Sequence, residues 1–283
     1  SLTYGDDAYS VSNYDRNSLY DTLPMYQAIA ESKNTSAVWL LDKLGIQRGI
    51  SKLEDFGISI GEADENLGAI ALGGMSKGVT PVQLASAYTT FVNEGVRTEA
   101  RFITKIVDAT GAVIVDNTKP KTNRVTTAAV AEEMTSMLMG VYADGGTGAS
   151  AQPSNGMVIA GKTGTTELDR ETGYIKSQWM VGYTPDLVVA TWLGYDKTNE
   201  IYNLNNAGKT MANLYSAEMG ALLSISPQTE FAVAAAEETY DSGIINGLKN
   251  GLDEFMNDMG SFGQSLGEGS KKLFDWANEA FGQ

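Results

Sequence analysis

The sequence predicts an α+β fold, an antiparallel sheet flanked by helices, and three observations carry that prediction. Two strong helical patterns, one of them opened by a definite start signal, occupy the middle of the chain. Three strand-like runs with short returns follow one another after Met157. Length and composition (283 residues, 42% apolar) suffice for one large domain or two modest ones with a buried core.

Taken in order, the stretch to about Thr22 is polar and reads as loop or extended chain. A short helix is predicted around Met25 to Ala30, followed by the polar trio Ser32, Lys33 and Asn34. A second helix is expected from Ser36 to Leu44, with Trp39, Leu40 and Leu44 inward and Gly45 as its stop. Thr80-Pro81-Val82-Gln83 is a capping box with proline at the first helical position. Leu84, Tyr88, Phe91 and Val92 then recur at helical spacing, and Gly95 ends the element. Phe102 to Val107 and Ala112 to Val115 predict a hairpin turning at Thr110-Gly111. Another helix is expected from Ala128 to Tyr142, with an apolar stripe of Val130, Met134, Met137, Leu138 and Val141.

The candidate strands are Met157 to Thr165, Gln178 to Tyr183 and Leu187 to Leu193. Thr184-Pro185-Asp186 supplies a tight turn between the last two, so a meander is expected. After Pro227 the composition becomes alanine-, glycine- and acid-rich. Ile245, Leu248, Leu252, Phe255, Met259 and Phe262 recur at three- and four-residue steps. The expected organisation is a domain over 1–226 and an acidic helical tail or linker over 227–283. The tail's acidic polar face opposes a membrane-surface role.

Composition removes several classes of function. A net charge of −15 is the wrong sign for a general nucleic-acid binder, although it does not forbid one local basic site. With no histidine, neither a Ser-His-Asp nor a Cys-His mechanism can be built. With no cysteine there is no thiol nucleophile, disulfide or Cys/His zinc site. No cofactor or metal is expected. Acid–base work falls to Lys, Asp, Glu, Tyr and the hydroxyls of Ser and Thr. No run of about 18 apolar residues marks a membrane span, and the first residues lack a signal-peptide pattern.

Two short motifs could carry chemistry. Gly161-Lys162-Thr163-Gly164-Thr165-Thr166 ends a predicted strand. There Lys162 offers an ammonium to a carboxylate, and Thr163 and Thr165 project to one side. Gly164 lets another backbone approach, and an edge strand of this kind can add a peptide by main-chain pairing. Ser32-Lys33-Asn34 lies between two helices, where serine can relay a proton and asparagine both donates and accepts. Alone, each has a plain structural explanation: a strand end with a surface lysine, and a pair of helix caps.

Together, and in this order, Ser-x-Asn and Lys-Thr-Gly-Thr resemble the second and third motifs of the penicillin-binding proteins and serine β-lactamases. The resemblance extends over roughly Tyr20 to Leu222. It includes Ala71-Leu72-Gly73-Gly74, Gly78-Val79-Thr80-Pro81, Asn93-Glu94-Gly95, Gly146-Thr147-Gly148 and Trp179-Met180-Val181-Gly182-Tyr183-Thr184-Pro185. Order and spacing are most similar to the class A enzymes, which also carry a glycosyltransferase domain upstream.

The resemblance implies a D-Ala-D-Ala transpeptidase that cross-links peptidoglycan through an acyl-enzyme. Stem peptides and β-lactam antibiotics would be its ligands, and other cell-wall synthesis proteins its partners. It further implies the extracytoplasmic face of a bacterial membrane, with the anchor upstream. Ser32 would pass a proton to the leaving amine, and Lys33 would be a variable residue facing solvent. Asn34 would bind the substrate backbone. Lys162 would stabilise the hydrogen-bond network around Ser32 and the substrate carboxylate, which Thr163 and Thr165 would also contact, and the Thr165 N–H would form half of an oxyanion hole.

The pattern departs at the family's first motif, Ser-x-x-Lys, in which the serine is the nucleophile. No lysine in this chain has a serine three residues before it. That motif lies further upstream of Ser-x-Asn in the family than this chain extends before Ser32. The expectation is a C-terminal part of the transpeptidase domain that does not acylate by itself. A non-catalytic sensor or binding module with the same fold is the alternative. A soluble β-lactamase would need a deacylating base, and no matching Glu motif lies between the two sites.

Overall fold

The structure, a computed structural model, describes residues 2–4, 9–14, 22–169, 173–204 and 207–237. Two three-residue strands, β1 (Leu2–Tyr4) and β2 (Tyr9–Val11), pair antiparallel in the polar N-terminal stretch. Helix α1 (Met25–Ala30) has its expected bounds, but α2 (Asn34–Leu44) begins earlier than Ser36, so Asn34 is its first residue. Its packing also differs from expectation. Val38 and Leu41 are buried, whereas Trp39 and Leu40 are half exposed. Contact with the later helices is made by positions three apart on the face of Val38 and Leu41, which the apolar pattern of Trp39-Leu40-Leu41 did not single out.

Helices α3 (Ile46–Asp55) and α4 (Leu67–Leu72), which no sequence signal had marked, pack on α2. Helix α5 (Pro81–Val92) starts on the expected capping box: Gln83 N donates to Thr80 Oγ1 at 3.2 Å, and Thr80 N to Gln83 Oε1 at 2.9 Å. It leads into β3 (Val96–Thr98), then the predicted hairpin of β4 (Lys105–Val107) and β5 (Val113–Asp116), and β6 (Thr122–Arg124), which pairs with β3. The hairpin turn is held by the Asp108 carboxylate, which accepts from Thr110 N, Thr110 Oγ1 and Ala112 N.

Helix α6 (Ala128–Met139) buries Ala131, Thr135, Leu138 and Met139, a stripe displaced in part from the predicted one, of which Leu138 and Val141 are buried and Met134 packs on the core. The displacement follows from its partner. Thr135 Oγ1 bonds the Tyr183 hydroxyl at 2.9 Å, so a polar residue lies at the centre of the buried face. The meander is as expected: β7 (Ala160–Asp169), β8 (Tyr174–Tyr183) and β9 (Val188–Gly194) form one antiparallel sheet in that order. Thr184 N donates to Leu187 O at 3.0 Å across the Thr-Pro-Asp turn.

The sheet is closed by a further helix, α7 (Ala207–Leu223). Met211, Ala212, Tyr215, Met219 and Leu223 lie on one helical face and are all fully buried against the sheet and α6. The Tyr142 and Tyr215 rings stack with centroids 6.0 Å apart, and the Tyr142 hydroxyl donates to Val181 O at 2.9 Å. Each of the large side chains contributes about 1.5–3 kcal/mol of burial, so this layer fixes β8, the strand on which β7 is paired. Phe231, Val233 and Ala235 also pack on this core, and Ser136 Oγ donates to Ala234 O at 2.6 Å. The apolar repeat from Ile245 to Phe262 lies outside the described residues.

Candidate active site

Strand β7 is the edge of its sheet: among the described residues it pairs with β8 alone. Its register is unbroken from Ala160 to Thr166, opposite Tyr183 to Ser177, and shifts only beyond Thr166. The Lys-Thr-Gly-Thr run therefore occupies the regular part of an edge strand. The glycine that closeness to β8 demands is Gly161, where a Cβ would lie 1.9 Å from Val181 O. At Gly164 a Cβ would lie 3.3 Å from the Trp179 Cβ, tight but without a backbone collision. The close backbone contact inside the sheet is thus made at Gly161.

Across from β7, the chain leaves α1 through two hydrogen bonds, Ser32 N to Ile29 O at 3.1 Å and Lys33 N to Ala28 O at 2.9 Å. They hold Ser32 at φ +54°, a left-handed conformation that costs an L-residue about 1–2 kcal/mol. A conformation of that cost persists because the surrounding bonds over-determine it. The result aims the Ser32 hydroxyl at β7, where Lys162 Nζ donates to it at 2.7 Å. Lys162 also reaches Thr163 O at 3.2 Å. Burial pushes the Lys162 ammonium down from 10.5 to about 8, because removing a charge from water disfavours the charged form.

A second bridge joins the same two elements. Thr147 N donates to Ala30 O at 3.1 Å, and Thr147 Oγ1 lies 2.6 Å from Thr163 Oγ1. Thr147 had entered the sequence reading only within Gly146-Thr147-Gly148. The usable signal was the flanking glycine, since a Cβ at Gly146 would lie 2.3 Å from both Gly140 O and Val141 O. A hydroxyl held in so tight a backbone turn has a defined direction.

The remaining candidates are placed as follows. Asn34, at the start of α2, donates from Nδ2 to Ser12 O at 3.2 Å. Thr165 is exposed on the outer edge of β7. Lys33 does not face solvent as expected: it is 8% exposed and ion-paired to Glu31 at 2.8 Å. A buried ammonium needs a counter-charge, and Glu31, two residues before, supplies it. A cleft of about 470 Å³ between α5, the chain after β3 and the β8–β9 turn is lined by none of the candidate residues.

An edge strand bearing lysine and threonine hydroxyls, facing a serine held between two helices, can bind an extended peptide end and move a proton beside it. Solved structures place this architecture in a class. The penicillin-binding protein PonA1 of Mycobacterium tuberculosis in complex with penicillin V shares it at a TM-score of 0.65 and 23% identity, over 83% of this chain and 64% of that one. Penicillin-binding protein 1A of Haemophilus influenzae shares it at 0.62 and 24%, over 82% of this chain and 39% of that one. The fold is the penicillin-binding transpeptidase fold.

Residues 1–217 match the penicillin binding protein transpeptidase domain, and the chain belongs to that family. It is 40% identical over 233 residues to penicillin-binding protein 2a of Streptococcus pneumoniae, and 40% identical over 214 residues to penicillin-binding protein 1F of Bacillus subtilis. These alignments cover 81% and 75% of this chain but 31% and 28% of the relatives, so the chain spans under a third of their length.

Proposed function

We propose that this chain is the C-terminal part of a class A D-Ala-D-Ala transpeptidase, and that it works with a Ser-x-x-Lys nucleophile carried on a preceding segment of a longer protein. The observation that carries this reading is the 2.7 Å contact from Lys162 Nζ to Ser32 Oγ beside an edge strand. In the proposed reaction the nucleophilic serine attacks the carbonyl of the penultimate D-Ala, and the bond to the terminal D-Ala breaks. Ser32 hands a proton to the departing amine, and the amine of a neighbouring stem peptide then resolves the acyl-enzyme.

Each candidate has a role in that scheme. Lys162 keeps the Ser32 hydroxyl oriented and attracts the substrate carboxylate, which Thr163 and Thr165 also contact. Gly164 keeps the edge between the two threonines clear for the substrate, and Asn34 holds the peptide backbone. The Thr165 N–H serves as one oxyanion donor, worth about 10²–10³-fold in rate where such donors have been removed singly. β-Lactams acylate the same serine. The protein acts outside the cytoplasmic membrane, with its anchor and glycosyltransferase domain upstream. Residues 1–226 belong to the transpeptidase domain, the stretch that follows packs on its core through Phe231, Val233 and Ala235, and the remainder to 283 is an acidic tail or linker.

The test is acylation of the full-length protein by a fluorescent penicillin. Ser32→Ala and Lys162→Ala are each expected to slow labelling severely. Unchanged rates in both would overturn the site assignment.

A further inference from the structure

We infer that Asn13 is a positioning residue of this site: it caps α2 from outside the helix and so sets where Ser32 and Asn34 stand. The inference rests on the functional reading above. Helix α2 lacks a cap of its own, because the residue at its N-cap position, Lys33, makes no side-chain capping bond. The unpaired N–H groups of a first turn need an acceptor, and one comes from a different part of the chain. Asn13 Oδ1 accepts from Thr35 N at 3.0 Å and from Thr35 Oγ1 at 3.1 Å. This is what an N-cap side chain does, performed by a residue 22 positions away.

The neighbouring bond has a separate effect. Ser12 O accepts from Asn34 Nδ2 at 3.2 Å, which fixes the plane of the Asn34 amide. With one N–H so held, Oδ1 and the second N–H are directed elsewhere and are available to a peptide. The Ser12–Asn13 segment therefore grips the first two residues of α2 by three hydrogen bonds. Ser32 stands two residues before Asn34, tied on its other side to α1 by the bonds to Ile29 O and Ala28 O, so a drift of the first turn of α2 works against the turn that aims the Ser32 hydroxyl. Asparagine suits the task because its carbonyl oxygen can take both Thr35 donors at once.

A merely structural cap and a positioning cap are separable by experiment. The full-length protein is labelled with fluorescent penicillin, and second-order acylation rates are compared beside thermal midpoints. Asn13→Ala is expected to lower acylation about tenfold, since small displacements of reacting groups are costly. Asn13→Asp keeps both acceptor bonds and adds a charge favourable at a helix N-terminus, so it is expected to restore the rate. Thr127→Ala is the stability control. It removes the cap of α6, a 3.3 Å bond from Val130 N, at an element that lacks Ser32 and Asn34. It should lower the midpoint as Asn13→Ala does while sparing acylation.

Equal acylation losses in Asn13→Ala and Thr127→Ala, or no rescue by Asn13→Asp, would overturn the inference. Should Asn13→Ala fail to fold, Thr35→Ala removes one of the two bonds and carries the test, with an expected loss of a few-fold; no loss there would count against it. A silent Ser32→Ala would instead remove the functional reading itself.

Discussion

Lys162 and Ser32 are 130 positions apart, yet the lysine Nζ lies 2.7 Å from the serine Oγ. The contact joins two independently built features, the left-handed turn after α1 and the regular half of edge strand β7. Neither alone has a chemical meaning. Their junction supplies a hydroxyl whose lone pair and proton are oriented by a desolvated ammonium.

Replacing either partner should therefore act on rate more than on folding. Ser32→Ala and Lys162→Ala are expected to lower acylation by about 10²–10⁴-fold, the range for a lost proton-transfer group. Lys162→Arg keeps the charge but not a point donor at the serine, so it should recover only part of that loss. Stopped-flow acylation with a fluorescent penicillin measures all three.

The depressed ammonium predicts a pH limb. Lys162 loses its proton near 8, so acylation that needs the charged form should fall as pH rises through about 8. A bound carboxylate favours the cation, which moves the limb upward in the complex. The fall should thus be seen near 8 in kcat/KM and later in kcat. For stability the sign is opposite. Between about 8 and 10.5 the unfolded chain binds more protons than the folded one, so this group makes the fold more stable as pH rises across that window. Lys162→Arg should abolish both effects.

Thr147 should matter through Thr163. Thr147→Val removes the hydroxyl 2.6 Å from Thr163 Oγ1 and frees Thr163 to rotate. A loss of about fivefold in acylation is expected, with Thr147→Ser close to the original rate, since one such bond is worth about 1 kcal/mol. Equal rates for the valine and serine variants would refute the bridge.

The two glycines of β7 should separate stability from chemistry. Gly161→Ala places a Cβ 1.9 Å from Val181 O, so the strand pair must part, and a loss of at least about 1–3 kcal/mol is expected from overpacking. Gly164→Ala meets only the Trp179 Cβ at 3.3 Å and should fold with a smaller loss. Thermal unfolding of the two variants side by side reads the difference.

Within the core, Tyr183→Phe leaves the Thr135 oxygen without its partner, while the Thr135 hydroxyl still donates to Ala131 O at 2.9 Å. Calorimetry should show a loss of about 1 kcal/mol, with the labelling rate unchanged.

Local signals were legible where the chain acts on itself over a few residues. The Thr80–Gln83 capping box, the Asp108 turn and the strands about Thr184-Pro185-Asp186 all depend on neighbours in sequence. Faces were less legible. The inward side of α2 and the stripe of α6 depend on which elements arrive opposite them, and Trp39, Leu40 and Thr135 went against hydrophobic pattern for that reason. Helix α7 was passed over although Met211, Tyr215 and Met219 recur at four-residue steps, because its alanine- and glycine-rich surroundings dilute the period.

The sequence by itself determined the fold class, the meander and the two motifs, since periodicity, turn chemistry and residue order are properties of the chain alone. Tertiary structure decided which atoms meet: Lys162 on Ser32, Thr147 on Thr163, Lys33 buried on Glu31, and Asn13 on the first turn of α2. Apart from the local Lys33–Glu31 pair, these contacts join residues 16, 22 and 130 positions apart, and nothing in a linear pattern reports the distance between such ends. The two contacts made by β7 exist because α6 packs against both that strand and α1, and the Asn13 contact because the chain about β2 packs on α2.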